Sequence, residues 1–363
     1  MKKTFLTYSC FILAMTCFIV LRVYAGKTLA AENTDETSSE IEVVPVAATP
    51  DPEEFAKDPV SDESAAAKDE NEYLYRGSVD PVGHYDGTLP RIICWGDSLT
   101  VSLDQKSAFP DILRDLSGCE VINYGVESES TAMIAMREGG LRVNVKATVI
   151  PADTTLIPVF LRTEDNGHVY FLDNGDGGVN PCTISGIEGE LSKLNGSYYF
   201  KRARKGERLS VDEGTQFKTF AMNDAREDDV LVIFAGTNDI PDKKSAASII
   251  RLERAMLDAV SCKRFVIVGL TYAGGIPEID AVNEELSKEF GDNFLDIRKY
   301  MLAYGLEDAG ITPTQQDMDD IAKGEIPSSL RSDYVHGNRH YHRLLGQQVY
   351  RRMQYLGYLG EGL

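Results

Sequence analysis

Near-continuous apolar runs alternating with amphipathic stretches predict an α/β chain, built on a parallel sheet with helices on both faces. The runs RIICW (91–95), EVINY (120–124) and VLVIFA (230–235) each end at a glycine, Gly96, Gly125 and Gly236. Between residues 141 and 219 the alternation gives way to short β-like runs split by EDNGH, DNGDGG and LNGS, which predicts an inserted all-β subdomain. A chain of 363 residues with 43% hydrophobic content can bury a sizeable core.

Taken in order, strands are expected at 91–95, 120–124, 230–235, 265–270 (FVIVGL) and 293–297. Helices are expected at 108–116, 244–260, 279–290 and 340–355, where apolar residues recur at helical spacing. Within the insertion the β-like runs are VKATVI, TLIPVFLR, HVYFLD, SYYFKRA and ERLSV. Ligands of open parallel sheets bind beyond the carboxyl ends of the strands, which directs attention to the polar residues there.

The N-terminus has a different character. Lys2 and Lys3 precede an apolar run from Phe5 to Leu21, followed by the small-residue sites Val23-Tyr24-Ala25 and Leu29-Ala30-Ala31. Residues 1–30 therefore read as a signal peptide or an uncleaved signal anchor, and both place the bulk of the chain outside the cytoplasm. Residues 31–72 hold 14 acids, two lysines and one aromatic, and are expected to form an acidic disordered linker. The α/β domain is expected to comprise residues 73–140 and 220–363, with the insertion at 141–219. The net charge of −20, with no basic stripe for phosphates, argues against a nucleic-acid partner.

Outside the leader, which holds Cys10 and Cys17, the cysteines are Cys94, Cys119, Cys182 and Cys262. No C-x-x-C pair exists, which argues against zinc, and four thiols in so long a chain are not a disulfide framework. Cys94 and Cys262 flank strand-like runs and read as buried thiols, while a Cys119–Cys182 bridge has no independent support.

The strand ends supply Gly96-Asp97-Ser98-Leu99, then Asn123-Tyr124-Gly125, then Gly236-Thr237-Asn238-Asp239, and Asp333-Tyr334-Val335-His336 follows near the C-terminus. A serine on a tight turn after a strand presents its hydroxyl above the sheet. That hydroxyl becomes a nucleophile when a base takes its proton. His336 is the candidate base, and Asp333 the candidate for holding its ring in the right tautomer. The Ser98 N–H, the Gly125 N–H and the Asn238 side-chain amide are candidate donors to an oxyanion. Glycine at 125 would let the backbone approach substrate closely.

In these four blocks the chain resembles the SGNH hydrolase superfamily, the GDSL-type esterases and lipases. The resemblance covers about residues 91–140 and 228–355. It implies a flavodoxin-like three-layer α/β/α sandwich and carboxyl-ester hydrolysis without cofactor or metal. It makes Ser98 the nucleophile, His336 and Asp333 its partners, and Ser98, Gly125 and Asn238 the oxyanion hole. The chain departs from the family pattern in its long spacing between Gly125 and Asn238, which the insertion accounts for. It departs again in the charged VESES segment (126–130), which disfavours a greasy acyl pocket, and in Gly337-Asn338 where Pro-Asn is frequent.

Other candidates carry less. A metal site at His336, His340 and His342 lacks an acidic ligand motif, and His84 and His168 are isolated. Asp239 reads as a cap for the following helix or a support for Asn238, and Trp95 as core. Tyr198, Tyr199 and Phe200 read as β core before a glycan-stacking platform. The functional expectation is a secreted or surface-anchored serine esterase acting on O-acetyl groups of a carbohydrate. The alternatives are a lysophospholipase or thioesterase, or a non-catalytic glycan-binding module.

Overall fold

The computed structural model describes residues 75–76, 83–102, 108–271 and 276–360. The expected leader (1–30) and the whole of the expected linker (31–72) lie outside the described residues. Among the described residues no helix is long and apolar enough to cross a membrane.

Five parallel strands form the central sheet: β1 (Ile92–Gly96), β2 (Val121–Gly125), β12 (Val230–Phe234), β13 (Arg264–Val268) and β14 (Phe294–Leu295). Their spatial order is β14-β13-β12-β1-β2, the doubly wound order in which the second strand lies outside the first. All five expected strands are present, shifted by one or two residues at their ends. Every residue of β1 and β12 is buried, as their unbroken apolar sequences require of central strands covered on both faces.

The helices beside this sheet are α1 (Ser98–Val101), α2 (Phe109–Ser117), α3 (Thr131–Glu138), α4 (Ala246–Ala259), α5 (Ile276–Phe290), α6 (Ile297–Ala303) and α7 (Arg339–Tyr355). One set packs α2 against α7, the other α3 against α4 and α4 against α5. Helix α3 was not anticipated from sequence. Its segment TAMIAMRE buries residues on nearly every side, so no clean amphipathic period marks it. At the amino ends of the central strands, Arg91 bonds both Asp229 oxygens at 2.8 and 2.9 Å, with both residues buried. Paired this way, the Arg91 charge costs far less to bury than it would alone.

Between β2 and β12 the chain forms antiparallel strands: β3 (Val143–Val145), β4 (Thr148–Ile150), β5 (Ile157–Val159), β6 (Leu161–Thr163), β7 (Cys182–Ile184), β8 (Ile187–Leu194), β9 (Ser197–Arg202), β10 (Leu209–Val211) and β11 (Thr215–Lys218). Strands β10 and β4 pair with each other, and the others order as β5-β9-β8-β7-β11-β3-β6. The two ends of that sheet, β5 and β6, are separated by Phe160 alone. One run thus pairs with β9 through its first half and with β3 through its second, so chain continuity joins the two edges. The side chains it encloses, among them Val169, Phe171, Phe200 and Phe217, form a core of their own.

Two expectations change here. HVYFLD is not a strand; its Val169 and Phe171 carbonyls accept from the Tyr198 hydroxyl, each at 2.9 Å, instead of from a neighbouring strand. The longest strand, β8, lies in IEGELSKL, whose alternation is interrupted by polar residues. Tyr198 and Phe200 are buried core residues rather than a stacking platform. The four described cysteines are buried free thiols, so no Cys119–Cys182 bridge forms.

Buried acids leave a signature in stability. Glu138, at the end of α3, accepts from the Gly140 N–H at 2.9 Å, while its other oxygen meets no hydrogen-bond partner among the described residues. Burial pushes its carboxyl up to about 8, only partly opposed by the Gly140 bond. The folded state therefore keeps a proton that the unfolded chain releases above the ordinary glutamate pKa. The associated stability is complete below that value and is lost as pH rises toward 8, at about 1.4 kcal/mol per unit. The Glu138→Gln variant, with no charge to bury, is expected to show a shallower fall in melting temperature from pH 5 to 8. A fall as steep as that of the wild type, measured by calorimetry, rejects this account.

Candidate active site

The register of the central sheet sets the site. Gly96 pairs with Gly125 on one side and Phe234 on the other, so β1, β2 and β12 end at one level. A Cβ on Gly96 would fall on Thr100 Oγ1 and the Phe234 carbonyl, so only glycine fits. Beyond it, Asp97 caps α1 by accepting from the Leu99 N–H at 2.9 Å, and the Thr100 and Val101 N–H groups donate to the Asp97 carbonyl. This turn puts Ser98 at the first helical position, 7% exposed, where its own N–H has no partner within the helix.

His336 sits on a loop closed by the bridge between Arg331 and Gly337, with the Ser332 N–H donating to the His336 carbonyl at 2.8 Å. Its Nε2 lies 2.9 Å from Ser98 Oγ, across 238 positions of sequence. Its Nδ1 lies 2.8 and 3.0 Å from the two Asp333 oxygens. With the Nδ1 proton directed at the carboxylate, Nε2 is the acceptor for the serine hydroxyl. Burial pushes the Asp333 carboxyl up, but the His336 backbone and ring N–H groups and the Val335 N–H outweigh it and hold it below its ordinary value. It stays ionised where an imidazole needs it.

The loop is held from behind by a set of polar contacts. Asp317 accepts from the Ser329 N–H and hydroxyl, both at 2.8 Å, and Asp320 accepts from the Ser328 N–H at 2.8 Å. Asn338 donates to the Ser329 carbonyl at 2.8 Å and caps α7 by accepting from the His340 N–H. Its capping role has a sequence signal, an asparagine just ahead of a helical period. The Asp317 and Asp320 contacts have none.

The expected oxyanion donors are present, but two of them have internal acceptors. The Gly125 N–H donates to Asn123 Oδ1 at 2.8 Å, and Asn123 Nδ2 donates to the Thr100 carbonyl. A Cβ on Gly125 would collide with the Val101 N–H. Glycine there permits close approach of β2 to α1, a packing reason that the expected approach of substrate does not require. The Asn238 amide meets two acceptors, the Glu129 carbonyl at 2.9 Å and Asp97 Oδ2 at 3.2 Å. It joins an oxyanion only by exchanging or sharing one of them. Asn238 lies in the turn after β12, reached through Gly236 at φ +115°, a left-handed conformation that favours glycine. Burial pushes the Asp97 carboxyl up to about 7, against the Leu99 N–H and helped by the nearby Asp239 and Glu129 charges.

Neighbouring acids also differ from expectation. Asp239 does not cap the helix that follows it, which Ser245 caps. Its Oδ2 accepts from the Thr131 N–H and hydroxyl, both at 2.8 Å, at the start of α3. In the 126–130 segment Glu127 is exposed, but Glu129 is 3% exposed and paired with Arg137, so its charge is not offered to substrate. Trp95 is buried against Tyr124. Among the described residues no group of three His, Cys, Asp or Glu is arranged to hold a metal, and His342 is buried beside the Tyr341 ring.

No protein-family model matches the chain. It is similar to a tail spike protein of Salmonella phage epsilon15, 22% identical over 293 residues, which are 73% of this chain and 25% of the phage protein. The chain thus spans about a quarter of the length of that curated relative. Among solved structures it is similar to a lipolytic G-D-S-L family protein from Desulfitobacterium hafniense, at 12% identity and TM-score 0.41, covering 72% of this chain and 99% of the other. It is also similar to a member of the lipolytic G-D-S-L family from Veillonella parvula, at 13% identity and TM-score 0.38, covering 71% and 95%.

A serine hydroxyl bonded to an imidazole is the group that fluorophosphonates modify. Such a probe is expected to label the wild-type protein on Ser98 and to leave Ser98→Ala unlabelled, with His336→Ala labelled far more slowly. Peptide mapping by mass spectrometry checks this, and equal labelling of Ser98→Ala would count against the site.

Proposed function

We propose that the chain is a serine esterase that hydrolyses carboxyl esters through an acyl-enzyme, with O-acetyl groups on a carbohydrate as its substrate class. The observation that carries the reading is the 2.9 Å contact between Ser98 Oγ and His336 Nε2, with Asp333 on the far ring nitrogen. In this reading Ser98 attacks the ester carbonyl as its proton passes to His336, and the imidazolium is stabilised by Asp333. The tetrahedral oxyanion draws on the Ser98 N–H, the Gly125 N–H and the Asn238 amide. His336 returns the proton to the leaving alcohol, and water then clears the acyl group by the same steps in reverse.

What supports a small acyl group is that the turns carrying Ser98 and His336 hold polar side chains, with Asn238 bonded to Asp97, Asn123 to the Thr100 carbonyl and Asp333 to His336. We further propose that residues 141–219 act as an inserted β-rich subdomain that helps hold the polyol. The leader at 1–30 would serve export or anchoring at the outer face of the membrane.

The purified protein is expected to release acetate from acetylated glycans faster than it cleaves long-chain acyl esters. Preference for the long chains would replace the glycan reading with a lipolytic one. Asn238→Ala is expected to lower kcat by roughly a hundredfold with the fold intact by circular dichroism. A loss under about threefold would remove Asn238 from the oxyanion hole.

A further inference from the structure

One buried assembly beside the site has no role in the steps above. Arg137, on the last turn of α3, is 1% exposed and grips Glu129 with Nε at 3.0 and 2.8 Å and Nη2 at 2.5 Å. Its remaining nitrogen, Nη1, donates to the Gly177 carbonyl, which belongs to the β-rich segment. The flat face of the guanidinium lies over Trp95, with Cζ 5.1 Å from the ring centroid, three residues before Ser98. The Glu129 backbone carbonyl in turn accepts from the Asn238 amide at 2.9 Å.

The fork geometry leaves the guanidinium little freedom. Three of its nitrogens are engaged on two separate segments and its face on a third. Displacing it would leave the buried Glu129 carboxylate without its counter-charge, and Glu129 would have to move. A Glu129 backbone that shifts with its carboxylate moves the carbonyl that accepts from Asn238. Gly177 is the point of entry from the insertion. At φ +48° a Cβ there would collide with Arg137 Nη1 and Val126 Cγ2, so the loop and the guanidinium are in direct contact.

We propose that Arg137 is a positioning residue through which the β-rich segment, by way of Gly177 and Glu129, sets the orientation of the Asn238 amide. This deepens the esterase reading and rests on the part Asn238 plays in it. It gives the insertion a catalytic consequence without requiring it to touch the reacting bond. Substrate or any partner that shifts the 176–178 loop would be felt at the oxyanion.

Two variants approach the relay from opposite ends in the full-length chain. Arg137→Lys keeps the charge and loses the fork, while Gly177→Ala leaves Arg137 and Glu129 unaltered and pushes on them from the insertion. With asparagine side chains labelled with 15N, the Asn238 amide is identified as the resonance pair missing from Asn238→Ala. Both variants are expected to shift that pair. They are also expected to lower kcat about tenfold with KM changed less than twofold, a fraction of the loss on removing a donor. In the Asn238→Ala background each should cost less than twofold, because the group through which they act is gone. An unmoved amide in folded protein overturns the proposal, as does an undiminished loss in the Asn238→Ala background. If Arg137→Lys fails to fold by circular dichroism, Gly177→Ala decides. Should the wild type prove inactive on esters, the esterase reading fails while the amide shift still decides the coupling.

Discussion

The parallel register of β1 with β2 and β12 is the constraint on which the site depends. Pairing Gly96 with both Gly125 and Phe234 brings three strand ends to one height, and the polar turns that follow them share one small volume. The register holds only because the turn after β1 can nest between its neighbours. Side chains on Gly96 or Gly125 would collide with backbone of α1 or β12. A helix turn packed that closely presents the Ser98 hydroxyl and N–H in fixed directions.

The imidazole arrives by a different route. It comes from a loop rather than a strand end, and a loop must be restrained to hold a side chain within hydrogen-bond reach. Here the restraint is a ring of polar contacts: Asp317 and Asp320 on the serines ahead of the loop, the Arg331–Gly337 bridge across it, and Asn338 at the start of α7. Asp333 then meets both the backbone and the ring of His336, so one carboxylate orients the imidazole and shapes the turn that carries it.

The same economy governs the acids beneath the site. Asp97 is both the cap of α1 and an acceptor for Asn238, and Asp239 caps α3 across 108 positions of sequence. Burying several carboxyls side by side raises their proton affinity, and Asp97 and Glu129 are each pushed up by burial ahead of any other cause. Arg137 balances only Glu129 directly. The arrangement ties helix positions, the Asn238 amide and the β-rich segment into one network of hydrogen bonds.

Strands β1 and β12 were legible in sequence because each is buried on both faces, and a doubly buried strand is an unbroken apolar run whatever its partners. Ser98, Asn238, Asp333 and His336 were legible because strand-end turns and a short Asp-x-x-His spacing are local patterns. Helix α3 and strand β8 were not, since their burial is set by contacts on several sides and leaves no clean period. HVYFLD looked like a strand and is irregular, because its carbonyls found the Tyr198 hydroxyl. The order of residues carries the chemical inventory: an alcohol, an imidazole, a carboxylate and the turns that hold them. Their partners were chosen by folding. Glu129 turned inward to Arg137 and Asn238 came between the Glu129 carbonyl and Asp97, because hydrogen bonds and ion pairs form between groups close in space, and Asn238 lies more than a hundred positions from both of its acceptors.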